Sequence, residues 1–289
     1  MTPWLLAARP KTLAAAVTPV LAGTALARND AASIHWPSFV FALLGAVFIQ
    51  IGTNYVNDAL DFKKGADTHT RLGPLRVTQA GLLSAGAVLR GAYICFAIAA
   101  FCGIPLILRG GWPIAAIGIA SIVAAYAYTG GPYPLAYHGL GEVFVMIFFG
   151  FVAVGGSFYL QRLTLDPSAW IGGLAVGALA VVILAINNLR DLENDRASNK
   201  RTLAARFGPR FAISEIVVFA IVPFLCVAAI AYLRGRWTML IPMLAAVLAV
   251  ALLVRVARSR GAELNRCLAL AGALEWLFGI LYVIGASIG

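Results

Sequence analysis

The sequence predicts an all-α membrane protein, a nine-transmembrane-helix bundle with an internal four-helix repeat. Three observations predict it. Of 289 residues, 61% are hydrophobic and only 12% are charged, whereas average soluble domains are about 25% charged. The apolar residues gather in runs close to the ~20 residues that a bilayer-crossing helix needs. The runs are too long for barrel strands and do not alternate apolar with polar positions. Mean hydropathy is +0.89. A soluble chain this apolar lacks the polar groups to cover its surface, which excludes an ordinary cytosolic enzyme, a disordered chain and a disulfide scaffold. The whole of 1–289 reads as one transmembrane domain.

The nine runs are 13–27, 38–56, 82–108, 112–130, 140–160, 168–188, 211–233, 238–257 and 267–288. The first follows Arg9 and Lys11 but has no convincing cleavage site, so it reads as a span rather than a signal peptide. The second ends in a polar window rich in Asn and Asp, and the third contains Arg90. The fourth enters a stretch, 126–137, dense in Tyr, Gly and Pro, and Glu142 opens the fifth, where it reads as a favourable charge at a helix N-terminus or, less readily, as a site residue. The sixth holds Gly172, Gly173 and Gly177, small residues that let membrane helices approach closely. It ends in a second polar window. Three further runs follow, with Arg255, Arg258 and Arg260 between the last two as orientation or lipid-headgroup charges.

The net charge of +10 would suggest nucleic acid in a soluble protein. Here the basic residues cluster between apolar runs, so no nucleic-acid partner is expected. With the N-terminus in the cytoplasm, the inside segments carry sixteen Lys and Arg and the outside loops five. That asymmetry places the N-terminus and both polar windows in the cytoplasm and the C-terminus outside. Cys95, Cys102, Cys226 and Cys267 form no CxxC pair and read as small buried residues, and His35, His69 and His138 are scattered.

Six of the twelve acids fall in the two polar windows. The first runs from Asn54 through Asn57, Asp58 and Asp61 to Asp67; the second contains Asn187, Asn188, Arg190, Asp191, Glu193, Asn194 and Asp195. On a continuing helix Asn54, Asn57 and Asp61 share a face, and Asn188, Asp191 and Asp195 repeat the spacing. Each face offers oxygen ligands without thiol or imidazole, which suits hard cations, above all Mg²⁺. A shift of 134 residues superposes Asn54 on Asn188, Asn57 on Asp191 and Asp61 on Asp195, and Arg71-Leu-Gly-Pro recurs as Arg206-Phe-Gly-Pro. Four spans separate the copies, hence the expected repeat with a ninth helix added. Carboxylates, Mg²⁺ and the nearby Arg71, Arg76, Arg190, Lys200 and Arg201 together describe a diphosphate clamp.

These residues resemble the UbiA superfamily of membrane prenyltransferases over nearly the whole chain, most closely its dihydroxynaphthoate-prenylating branch. The resemblance rests on Arg9-Pro-Lys-Thr-Leu13, Asn54-x-x-Asn57-Asp58-x-x-Asp61-x-x-x-Gly65-x-Asp67 and Arg71-x-Gly73-Pro74-x-Arg76. It continues through Asn187-Asn188-x-Arg190-Asp191-x-x-x-Asp195, Lys200-x-Thr202-Leu203 and Arg206-x-Gly208. Two positions depart from the family pattern. Asn199 stands where Gly is usual, a substitution the turn should tolerate because Asn accepts positive φ. Ala14 stands where Pro commonly follows the first motif.

The resemblance implies transfer of a polyprenyl chain from an allylic diphosphate to 1,4-dihydroxy-2-naphthoate, with loss of CO₂ and diphosphate, in a bacterial inner membrane. The expected metal ligands are Asn57 and Asp61 for one Mg²⁺ and Asp191 and Asp195 for another. The candidate catalytic acids are Asp58, Asp61, Asp191 and Asp195. Arg71, Arg76 and Lys200 are expected to grip diphosphate, and Lys11, Asn54, Asn57, Tyr128, Asn188 and Arg190 complete the substrate-binding set. A Tyr face in 126–137 would steady a carbocation; an interfacial aromatic belt is the plainer reading of that loop. Another aromatic acceptor, such as 4-hydroxybenzoate, remains an alternative. A transporter fits less well, because the acids sit at one membrane face rather than at mid-span.

Overall fold

The computed structural model describes residues 2–28, 33–65 and 72–288, and all regular structure among them is helical. In chain order the helices are α1 (Pro3–Ala8), α2 (Ala14–Arg28), α3 (Trp36–Lys63), α4 (Ala85–Gly110) and α5 (Trp112–Ala127). Then come α6 (Gly141–Arg162), α7 (Pro167–Arg190), α8 (Leu192–Ala197), α9 (Leu203–Phe207), α10 (Pro209–Arg234), α11 (Trp237–Arg258) and α12 (Gly261–Ser287). Seven of these, namely α3, α4, α6, α7, α10, α11 and α12, are long and apolar enough to cross a membrane. The predicted runs 13–27 and 112–130 fall on the shorter apolar helices α2 and α5, of 15 and 16 residues. The four cysteines are buried and unpaired, as their apolar settings suggested.

The helix starts follow from sequence chemistry. Pro stands in the first turn of α3, α5, α7 and α10, where its missing N–H costs nothing. Side chains of Ser84, Asp166 and Thr202 cap α4, α7 and α9 by accepting backbone N–H bonds. α3 runs on past its apolar part to Lys63, so Asn54, Asn57 and Asp61 do share one continuous helix. The second window differs. α7 ends at Arg190, Asp191 sits at the joint with φ −93° and ψ 8°, and Asp195 belongs to α8. Backbone bonds from Asp191 N–H to Asn187 and from Asp195 N–H to Asp191 keep a helix-like spacing through the break.

α7 is the centre of the bundle. Of its apolar window 72% is buried, against 33–39% for the other six long helices, which face outward on one side. It packs against α2, α6, α10 and α12. The close approach of α6 depends on glycine at both faces. A Cβ on Gly150 would lie 2.6 Å from the Gly173 carbonyl oxygen, and one on Gly177 would lie 2.9 Å from the Gly150 Cα. This stretch of α6, Met146–Val152, is wound as a π-helix. Gly172 faces the Tyr282 hydroxyl of α12 instead.

Two polar clasps close the end of the bundle remote from the acidic windows. Arg234 at the end of α10 donates to Asp166 and Ser168 at the start of α7 and to the Leu26 carbonyl at the end of α2. Arg109 at the end of α4 donates to the Leu160 and Gln161 carbonyls of α6, and Gln161 exchanges hydrogen bonds with the backbone of His35 before α3.

Gly150→Val should destabilise the protein by about 1–3 kcal/mol or more, because the added side chain meets backbone that cannot retreat. Thermal unfolding in detergent measures it; an unchanged midpoint would show that the α6–α7 seam is looser than described.

Candidate active site

The ends of α3 and α7 open on one cavity of about 1390 Å³. Its inner wall is apolar, with Ile49, Phe144, Phe148, Phe149, Leu184 and Trp276 among the residues that face it. Its polar end carries Asn54, Asn57, Asp61 and Arg76 from one side and Asn188, Arg190, Asp191, Asp195 and Lys200 from the other. The two windows that the sequence set apart by 134 residues therefore meet across one space.

Three carboxylates at the polar end, Asp61, Asp191 and Asp195, are each matched by a cation. Asp61 pairs with Arg76 at 3.1 Å and accepts the Tyr137 hydroxyl at 2.9 Å. Asp191 takes a two-pronged contact from Arg190, at 2.8 and 2.6 Å. Asp195 lies 3.8 Å from the Lys200 ammonium and accepts the Thr202 hydroxyl. Burial raises the Asp195 carboxyl above the usual carboxylate range, and the charges of Asp191 and Asp61 push it further, against Lys200 and Thr202. The push from Asp61 means that the first window acts electrostatically on the second.

The 128–139 loop joins the two sides. The Thr129 hydroxyl donates to Asn57 Oδ1, and the Lys64 ammonium donates to the Thr129 carbonyl. The Lys64 and Lys200 ammoniums lie 4.5 and 5.6 Å from the centre of the Tyr137 ring, from opposite windows. The Tyr137 carbonyl accepts the Arg201 N–H at 3.1 Å. Asn199 takes φ 54°, so the turn before Lys200 is left-handed, as the presence of Asn where Gly is usual suggested. Of the loop's tyrosines, Tyr128 faces the cavity.

Several expected roles change with this geometry. Asp58 does not line the cavity: its two oxygens accept the Val77 and Thr78 N–H groups, at 3.1 and 2.9 Å, and so hold the segment that carries Arg76. It positions a site residue and does not touch the site. Arg190 reaches the cavity wall, but its guanidinium is committed to Asp191, Asn187 and Asn265. It holds Asp191 in place. The Asn54 amide donates to the Ala8 carbonyl and Thr12 hydroxyl, tying the N-terminal segment to α3. The Asn188 amide donates to Glu142 at 2.8 Å, which places Glu142 in the site as well as in the first turn of α6. Arg201 faces away from the cavity. Arg71, Asp67 and the side chain of Lys11 lie outside the described residues.

Lys64, Thr129 and Asn265 were not singled out as site residues from the sequence, and Tyr137 entered only as part of the Tyr face of 126–137. Lys64 had a signal, since it follows Asp61 by three positions on the same helical face. Asn265 had none.

The donor set fits magnesium. Asn57, Asp61, Asp191 and Asp195 supply oxygen only. Among the described residues no three His, Cys, Asp or Glu side chains converge tightly enough to hold a metal by themselves. Mg²⁺ is commonly held by one or two carboxylates plus substrate phosphate oxygens and water, so a divided oxygen set suits it.

The UbiA prenyltransferase family model matches residues 16–283. A protein of Haemophilus influenzae named 1,4-dihydroxy-2-naphthoate octaprenyltransferase is 35% identical, over 99% of this chain and 96% of its own. Among solved structures, an apo UbiA homolog from Aeropyrum pernix superposes with a TM-score of 0.75 at 14% identity, covering 94% of this chain and 97% of that one. A UbiA homolog from Archaeoglobus fulgidus bound to DMAPP and Mg²⁺ superposes with a TM-score of 0.69 at 14% identity, covering 99% of each chain.

Asp58→Ala should leave two buried N–H donors without acceptors, at about 1–3 kcal/mol for each group. Thermal unfolding and the affinity for an allylic diphosphate should both fall. A variant with normal affinity and stability would remove Asp58 from the support of Arg76.

Proposed function

The chain belongs to the UbiA prenyltransferase family, and from that premise we propose that it transfers a polyprenyl chain from an allylic diphosphate to 1,4-dihydroxy-2-naphthoate, giving the hydroquinone form of a demethylmenaquinone with release of CO₂ and diphosphate. The observation that carries the reading is the meeting of Asp61, Asp191 and Asp195 at the polar mouth of an otherwise apolar cavity. The acceptor follows from the Haemophilus influenzae relative's name. The DMAPP and Mg²⁺ bound to the Archaeoglobus fulgidus homolog support the donor class and the metal.

In this reading Asn57 and Asp61 would hold one Mg²⁺ and Asp191 and Asp195 the other, and the metal, when bound, would supply charge neutralisation for the leaving diphosphate. Arg76 and Lys200, already at the mouth, add charge-assisted hydrogen bonds to its oxygens. Arg71 belongs to the same grip by its place in the motif. Asp58 and Arg190 act one step back, as positioning residues. The allylic C–O bond breaks with its electron pair on the diphosphate, and the apolar walls exclude the water that would capture the carbocation. Phe144, Phe148, Phe149 and Tyr128 offer ring faces to that cation. The electron-rich naphthoate ring supplies the pair for the new C–C bond. Loss of CO₂ returns a pair to the ring and restores aromaticity.

The membrane arrangement belongs to the same proposal. α2 and α5 cross the bilayer with the seven longer helices, giving nine crossings and a four-helix repeat with α12 added. The acidic windows face the cytoplasm and the C-terminus lies outside, in a bacterial inner membrane, as the charge asymmetry requires.

Asp191→Ala should lower turnover by ~100-fold or more, since even partners of metal ligands are worth 10–100-fold, while the protein stays folded in detergent. Near-normal activity would count against the mechanism. EDTA should stop the reaction and added Mg²⁺ restore it; turnover that continues in EDTA would sink the metal assignment. With one prenyl diphosphate and a panel of aromatic acceptors, dihydroxynaphthoate should be consumed first by mass spectrometry. Preference for 4-hydroxybenzoate would replace the acceptor and leave the reaction type standing.

A further inference from the structure

Beside the main cavity lies a second pocket of about 180 Å³, lined by Arg196, Asn199, Lys200, Arg201, Ala205 and Arg206. Four of the six are cationic and none is acidic. The volume suits a small polyatomic anion and is far too small for an isoprenoid chain. Lys200 lines both this pocket and the main cavity, so the two spaces share a wall.

The pocket is held by bonds that span three segments. Arg196 of α8 donates from Nε to the Ala205 carbonyl of α9 at 3.0 Å. Arg206 donates to the His138 carbonyl at 2.9 Å, and the Arg201 backbone N–H donates to the Tyr137 carbonyl at 3.1 Å. The left-handed turn at Asn199 bends the chain back so that Arg196 and Lys200 line the same hollow. A guanidinium has five N–H donors in a planar fork, so the anchoring bonds of Arg196 and Arg206 leave further donors on each. The Arg196 contact with Glu193, 3.5 Å and largely exposed, withdraws little of that charge.

We propose that this pocket binds inorganic diphosphate on its way out of the active site, with Lys200 passing the anion from one space to the other. The inference rests on the prenyl-transfer reading. Once the allylic bond has broken, the diphosphate is no longer held by its hydrocarbon chain. Behind it stand three acids already paired with Arg76, Arg190 and Lys200; beyond Lys200 stand three arginines with no lining carboxylate. An anion that leaves the balanced mouth therefore meets a wall of net positive charge. Arginine forks match phosphate oxygens in pairs, which gives the pocket a chemical preference for phosphate groups. An anionic lipid headgroup carries the same chemistry, and the test separates the two.

Full-length protein in neutral detergent is first saturated with Mg²⁺ and an allylic thiolodiphosphate that cannot ionise readily, and inorganic diphosphate is then titrated by calorimetry. One further site should remain. Arg196→Gln combined with Arg201→Gln should weaken it by about tenfold or more, as loss of charge-assisted bonds does, with single-turnover prenyl transfer unchanged; Arg201→Lys should restore part of the affinity. Absence of a residual site, or one that the double variant leaves intact, overturns the proposal. The titration is repeated in nanodiscs of phosphatidylcholine and of phosphatidylglycerol. Loss of the site only in phosphatidylglycerol assigns the pocket to lipid and overturns it as a product site. If the thiolodiphosphate itself does not bind, the prenyl-transfer reading fails separately, and diphosphate binding to the bare protein, compared between wild type and double variant, still decides the pocket.

Discussion

Burying a carboxylate among apolar helices is costly unless a cation comes with it. Asp61, Asp191 and Asp195 all meet that condition, and the way they meet it organises the rest of the molecule. Arg76 returns from the segment after α3 to reach Asp61, and Asp58 holds that segment by its backbone. Arg190 precedes Asp191 directly and is itself braced by Asn187 and by Asn265 of α12. Lys200 reaches Asp195 across a left-handed turn. The segment after α3, the turn before Lys200 and the end of α7 are thereby set by the pairing of three acids.

That pairing also defines the chemistry of the mouth. Three acids and three bases nearly cancel, so a multiply charged diphosphate gains little from the side chains alone. A divalent cation arriving with the anion changes that balance, and the oxygen-only ligands are suited to it. The apolar cavity behind supplies what the charges do not: a hydrocarbon-lined volume for a prenyl chain and aromatic side chains beside it. Polar grip and hydrocarbon shelter are stacked along one axis because the acids lie at the helix ends.

The helices were legible because a bilayer imposes one simple rule on length and polarity. Every predicted run has a helix over it, and the shared face of Asn54, Asn57 and Asp61 follows from helical geometry alone. Spacing tells which side chains share a face, but it does not tell which partner each will take. Asp58 carries the same side chain as Asp61 and stands three positions away, yet it serves backbone N–H groups 19 and 20 residues on. Arg190 sat in a basic set that pointed to phosphate, but a neighbouring carboxylate and two amides claim its donors. Glu142 was read as a helix-end charge, and it is one; its bond to Asn188 comes from the packing of α6 on α7, which no local pattern encodes. The break in the second window at Asp191 escaped the same way.

The two clasps at the remote end tie six helices where no chemistry takes place. Arg234 binds the ends of α2, α7 and α10, and the Arg109–Gln161–His35 set binds those of α3, α4 and α6. The helices are thus fastened at both poles, by the arginine clasps at one and by carboxylate–cation pairs at the other. Room for a bulky ring or a long tail is left to the apolar middle, where mostly small and hydrocarbon side chains stand between the two sets of ties.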